Sequence, residues 1–176
     1  MAQSLEEVRR AIDAGMLSVP LHRHLGISLE RTPSGGSRVL MPPTPQIIDP
    51  GGNHSPGAVY VLADVAAGLR LCDEIAPRAL EMEMGALFLT VSAQFKPAAA
   101  ASGTLVATAE VTKGFEEPPS GRQLKKATLE VTASVSGENG EPAGEQRVRF
   151  YVRFMETSRI RELAPDSSPL IQVLGT

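Results

Sequence analysis

The order of hydrophobic and polar positions along the chain divides it into three kinds of segment. Residues 4–14 (SLEEVRRAIDA) place Leu5, Val8 and Ile12 on one face at helical spacing. Ser4 followed three residues later by Glu7 is a capping box, and Gly15 is the expected stop. LGISLERT at 25–32 and GSRVLMP at 36–42 read as two short strands joined by the turn Pro33–Ser34–Gly35–Gly36. A loop rich in Pro and Gly leads into Gly57–Cys72, GAVYVLADVAAGLRLC, where Ala58, Val61, Leu62, Val65, Leu69 and Cys72 form an apolar helical stripe.

Four segments with period-two alternation follow. The apolar set is Leu87, Leu89, Val91, Ala93 and Phe95 in the first, and Leu105, Ala107, Ala109 and Val111 in the second. It is Ala127, Leu129, Val131, Ala133 and Val135 in the third, and Val148, Phe150, Val152 and Phe154 in the fourth. Such alternation predicts a sheet with one buried and one wetter face. Turn formers such as Asn139–Gly140 predict antiparallel hairpins. The tail after Glu156 holds a helical turn at SRIREL and a flexible segment at APDSSP. Two strands, one apolar helix and four strands make an α+β domain: a six-stranded antiparallel sheet with one helix against it. One helix cannot cover six strands, so the N-terminal helix or a second subunit must help.

The helix carries one acid among apolar neighbours, Asp64. A helix apolar nearly all round is normally buried, so Asp64 is expected to be at least partly buried. A buried carboxylate needs a partner or a use. It is either structural, held by backbone amides, or catalytic.

Composition narrows the field. The chain has 176 residues, enough for one domain with its own core. Its 17 basic and 20 acidic residues give a net charge of −3, which offers no global attraction to nucleic acid. Trp is absent, so base-stacking platforms are poorly supplied. Cys72 is the single cysteine; it lies on the apolar face and is expected to be an inert buried thiol. No run of about 18 apolar residues exists, so no membrane partner is expected. The acidic start, Glu6 and Glu7, does not read as a signal peptide, and a cytoplasmic protein is the default expectation. The three His, one Cys and scattered acids lack metal-ligand spacing, so no metal or cofactor is expected. Asp49-Pro-Gly-Gly-Asn53 lacks the Lys and Ser/Thr of a phosphate loop and reads as a turn.

LGISLE at 25–30, GAVYVLADVAAG at 57–68 and VSAQFKPA at 91–98, with the strands that follow, resemble the hotdog fold. Within it they resemble the PaaI-like acyl-CoA thioesterases, named for phenylacetate degradation. The resemblance spans residues 20–156, the expected hotdog domain, with 1–19 an N-terminal helical extension and 157–176 a tail. It implies hydrolysis of an acyl-CoA or related thioester, with Asp64 as general base or nucleophile. It also implies a homodimer or dimer of dimers with the pocket between subunits. The family enters the helix through a His-Gly-Gly turn, which falls here on Ser55, Pro56 and Gly57. Pro56 has no N–H to offer an oxyanion. That role passes to the amides of Gly57 and Ala58 at the positive end of the helix, with the Ser55 hydroxyl or His54 as auxiliaries. The Asn that often precedes the turn falls on Asp49 by interval, and Asn53 lies closer as a substrate contact. Lys96, Arg122, Lys125 and Lys126 are candidates for the CoA phosphates by their strand-end positions. Two rival readings stay open: a non-catalytic hotdog protein binding an acyl or aromatic ligand, favoured by Pro56, and a hotdog dehydratase using His54.

Overall fold

The computed structural model describes residues 4–32, 36–98, 101–116 and 125–163. Helix α1 (Leu5–Ser18) starts at the Ser4–Glu7 capping box, with both reciprocal bonds formed. It runs through Gly15, which is buried inside it, and the chain turns at Val19 into the five-residue helix α2 (Pro20–His24). The stop therefore belongs to Pro20, which cannot continue α1 but starts a new helix well.

Strands β1 (Ser28–Arg31) and β2 (Ser37–Met41) pair antiparallel. The turn residues 33–35 between them and the APDSSP segment lie outside the described residues. The long helix α3 (Pro56–Glu81) continues well past Cys72. Asp73, Glu74 and the interior Pro77 break the apolar pattern there, yet Ile75, Ala76 and Ala79 keep burying the same helix. Strands β3 (Gly85–Pro97), β4 (Leu105–Lys113), β5 (Lys126–Gly137) and β6 (Pro142–Met155) follow, then α4 (Thr157–Leu163) at the expected SRIREL turn.

All pairings are antiparallel, and the sheet order is β1-β2-β4-β5-β6-β3. α3 lies across the concave face with α1 beside it, and the core forms between them and the sheet. The inward row of β6 is Gly144, Gln146, Val148, Phe150, Val152 and Phe154. Gly144 lies close under α3: a Cβ there would stand 3.0 Å from Val59 and from Phe95. Arg149 and Glu130 pair at 2.8 Å on the wet face. Among the described residues no helix is long and apolar enough to cross a membrane.

β3 departs from the simple alternation. Its register against β6 slips between Thr90 and Ser92, leaving Val91 as a bulge. A one-residue bulge inverts the faces beyond it. Leu87 and Leu89 therefore pair with the outward Arg153 and Tyr151, while Phe88 and Thr90 pair with the inward Val152 and Phe150. After the bulge Ala93 and Phe95 point inward, opposite Val148 and Gln146. The expected continuous row from Leu87 to Phe95 thus splits across both faces. β3 is also an edge strand, and Leu89 and Val91 are 60% and 59% exposed.

Candidate active site

The first turns of α3 and the edge strand β3 leave an uncovered groove between them. Tyr60 on α3 meets Phe95 on β3 edge-on, with ring centroids 5.6 Å apart. Thr90 and Ala93 point inward yet remain exposed, because α3 lies over the middle of the sheet rather than over this edge. Asp64 lies one turn beyond Tyr60 on the same open face, so the residue is exposed rather than buried as its neighbours in sequence suggested. The reason is positional: Tyr60, Asp64 and the half-buried Gly68 form the face of α3 turned away from the sheet centre.

The Asp64 carboxyl end is nevertheless crowded by protein. Burial raises its pKa above the ordinary aspartate value, and the Gln146 side chain and the charge of His22 pull in the opposite direction. Asp64 makes no ion pair among the described residues. Gln146 forms the floor beside it and is fully buried, with neither Nε2 nor Oε1 in hydrogen-bonding geometry with another group among the described residues. His22 comes from α2. Its Nδ1 lies 2.7 Å from the Met16 carbonyl, the Met16 side chain reaching the backbone at Gly68.

The turn into α3 is built as a cap. The Ser55 hydroxyl accepts from the Ala58 N–H at 3.3 Å, and Pro56 occupies the first turn. Ser55 and Ala58 therefore satisfy one another, and Ala58 is buried. The Gly57 N–H has no acceptor among the described residues, and Gly57 is exposed with nothing within 4 Å of where a Cβ would stand. His54 is buried. Its Nε2 lies 2.6 Å from the Gly103 carbonyl, and its backbone N–H donates to Ala101. It ties the 101–103 loop to the helix entrance, with Nδ1 left unpartnered. Asn53 closes the Asp49 turn: its N–H donates to the Asp49 carboxylate at 2.9 Å, and Gly52 takes the positive φ that the turn requires.

The basic candidates are not gathered. Lys96 pairs with Glu145 near one end of β6, whereas Phe154 near the other end bonds to the Lys125 carbonyl. That separation is on the order of 30 Å along a strand. Lys96 lines an open cleft of about 620 Å³ with Ser134, Ser136, Glu145 and Arg147, on the sheet face opposite α3. Lys126 opposes Arg153 on β6, at the Lys125 end of the sheet. Arg122 lies outside the described residues.

A second acid on α3, Asp73, was not singled out by the sequence and is the buried one. Its side chain is 2% exposed, 2.6 Å from Arg31 of β1 and 3.5 Å from Arg9 of α1. Arg31 also bonds Asp13 and Ser37. Burial works against the Arg31 charge, and its bonds to Asp13 and Asp73 more than offset it, so its pKa rises. Neighbouring Cys72 is buried, and burial together with Asp73 pushes its thiol up to about 12, the inert state expected.

No family model matches the sequence, and no curated protein matches it. Solved structures do. The PaaI protein of the Escherichia coli phenylacetic acid degradation operon aligns over 86% of this chain and 96% of its own, at 17% identity and a TM-score of 0.61. A thioesterase-superfamily protein of Shewanella oneidensis aligns over 83% and 95%, at 15% identity and a TM-score of 0.64. A thioesterase family protein of Silicibacter pomeroyi aligns over 86% and 100%, at 19% identity and a TM-score of 0.62. The six-stranded antiparallel sheet and the long helix packed against it are thus the hotdog fold, shared with solved structures of the thioesterase superfamily.

Proposed function

We propose that this protein hydrolyses acyl-CoA or related thioesters, with Asp64 as the reacting acid. The observation that carries the reading is an aspartate with no ion pair, at the edge of an open groove, with a raised pKa. As general base, Asp64 takes a proton from water while the water oxygen attacks the thioester carbonyl carbon. The negative charge that develops on the carbonyl oxygen is met by the Gly57 N–H at the positive end of α3. The C–S bond then breaks, and the thiolate leaves with the proton returned from Asp64. Direct attack by the carboxylate, giving a mixed anhydride that water later opens, uses the same groups.

The working form is a homodimer or dimer of dimers. β3 offers a long unpaired edge with two exposed aliphatic residues, a surface that soluble proteins normally cover. A second subunit there would close the groove above Asp64. Light scattering is expected to give a dimer or tetramer at micromolar concentration; a fully active monomer would contradict this.

The binder reading keeps one specific support: Pro56 lacks an N–H and the Ala58 N–H is held by Ser55, leaving a single free donor. Free-thiol release from a panel of aliphatic and aromatic acyl-CoAs decides between the two. Turnover on at least one substrate is expected. Ligand-raised melting temperature without any thiol release would establish the binder instead.

A further inference from the structure

Among the buried residues, Gln146 has the least local reason to be polar. It occupies the inward row of β6 between Gly144 and Val148, opposite Ala133 of β5 and Phe95 of β3. It is fully buried, and neither polar atom of its side chain has a hydrogen-bond partner among the described residues. Buried side-chain amides in folded proteins are nearly always hydrogen-bonded, because a desolvated donor or acceptor without a partner is a standing penalty. A methionine or leucine would fill the same space without it. The place of this exception is specific. Gly144, one inward position away, lies close to Val59 of α3 and Phe95 of β3, and Phe95 meets Tyr60 edge-on. The amide thus stands at the floor of the groove, beside Asp64.

We propose that Gln146 is a positioning residue for hydrolysis at Asp64: its Nε2 donates to the carboxylate and fixes the oxygen that faces the attacking water. The proton of that water passes to Asp64 as the water oxygen bonds to the thioester carbon. The amide is suited to this because it presents a donor and carries no charge that would compete with Asp64. A fixed carboxylate removes orientational freedom that the reaction would otherwise have to lose. The proposal rests on the thioesterase reading for its water, but the contact between Gln146 and Asp64 can be tested without turnover.

The test uses the full chain with Gln146→Met and, as a second apolar variant, Gln146→Leu. The Asp64 carboxyl is followed by carbon NMR across pH, its signal identified by its loss in Asp64→Asn. His22 is the other titratable group acting on Asp64, so His22→Asn is carried as a control for its share. In both apolar variants Asp64 is expected to titrate at higher pH than in wild type, and the acid limb of kcat/KM is expected to move with it. kcat should fall about ten- to a hundredfold with little change in KM. The melting temperature should change little, because the lost bond from Nε2 is offset by removal of the unpaired Oε1 from the core. A merely structural glutamine would do the reverse: lower melting temperature, unchanged turnover per folded molecule. An unmoved Asp64 titration in both apolar variants overturns the proposal. A moved titration in a protein that hydrolyses no thioester upholds the contact and overturns the thioesterase reading instead.

Discussion

The two aspartates of α3 sit in opposite circumstances. Asp73 is enclosed among three elements and answered by Arg31 and Arg9. Asp64 lies on the open face with no cation paired to it, and a neutral amide stands beside it. A carboxylate that is buried and matched by guanidinium groups is committed to holding structure, since its charge is already used. One that is crowded but unmatched keeps its proton affinity raised and its lone pairs available. On the proposed reading, burial alone does not mark the reactive acid in this helix; the absence of a matching charge does.

The comparison can be broken most forcefully at Asp73. Asp73→Ala leaves Arg31 without its buried partner and should lower stability by about 3 kcal/mol, the scale for breaking a buried pair. Denaturant titration reads this, while turnover per folded molecule should hold. A stable but inactive Asp73→Ala protein would transfer the reactive role to that end of the helix.

Asp64→Asn should do the opposite. Turnover should fall at least about a hundredfold. Stability should be level or higher, because the substitution removes a charge that the fold disfavours. The sign follows from the raised pKa: the folded state holds the Asp64 proton more tightly than the unfolded chain does. The wild-type penalty is therefore present above the folded pKa and vanishes below the ordinary aspartate value. Any gain in Asp64→Asn should be full at neutral pH and absent in acid. Wild-type turnover in Asp64→Asn, measured on the best substrate, would remove Asp64 from the chemistry.

The gentlest test adds rather than removes. Pro56→Gly returns an N–H beside that of Gly57 and should raise thiol release, by no more than about 3 kcal/mol in barrier. It should also lower the melting temperature slightly, because glycine loosens the unfolded chain. No gain in turnover would mean that the Gly57 N–H already meets the oxyanion alone, or that no oxyanion forms.

Much of this was legible in the residues. The strands of the sheet's middle announced themselves because β4, β5 and β6 have one face against α3 and one in water, so alternation survives. β3 misled because its bulge changes phase at Val91, and no turn former marks the spot. Asp64 stood out as a charge among apolar neighbours, but its exposure depends on where α3 crosses the sheet, which helical spacing does not carry. Asp73 went unremarked because its guanidinium partners are distant in sequence, at Arg9 and Arg31. Gln146 could have been found: the β6 alternation extended backward past Arg147 puts a lone amide in the inward phase.

The placement of β3 also has a consequence for the order in which this chain is made. Gly85 pairs with Met155 and Pro97 with Gly144, and among the described residues β6 is the only strand beside β3. During synthesis β3 leaves the ribosome well before its neighbour exists, and each bond of that ladder must close a long loop. Through that interval Leu89 and Val91 are bare on a strand with both edges open. A nascent chain stalled before residue 142 should be held by chaperones or lost to aggregation, whereas one stalled beyond Met155 can complete its sheet.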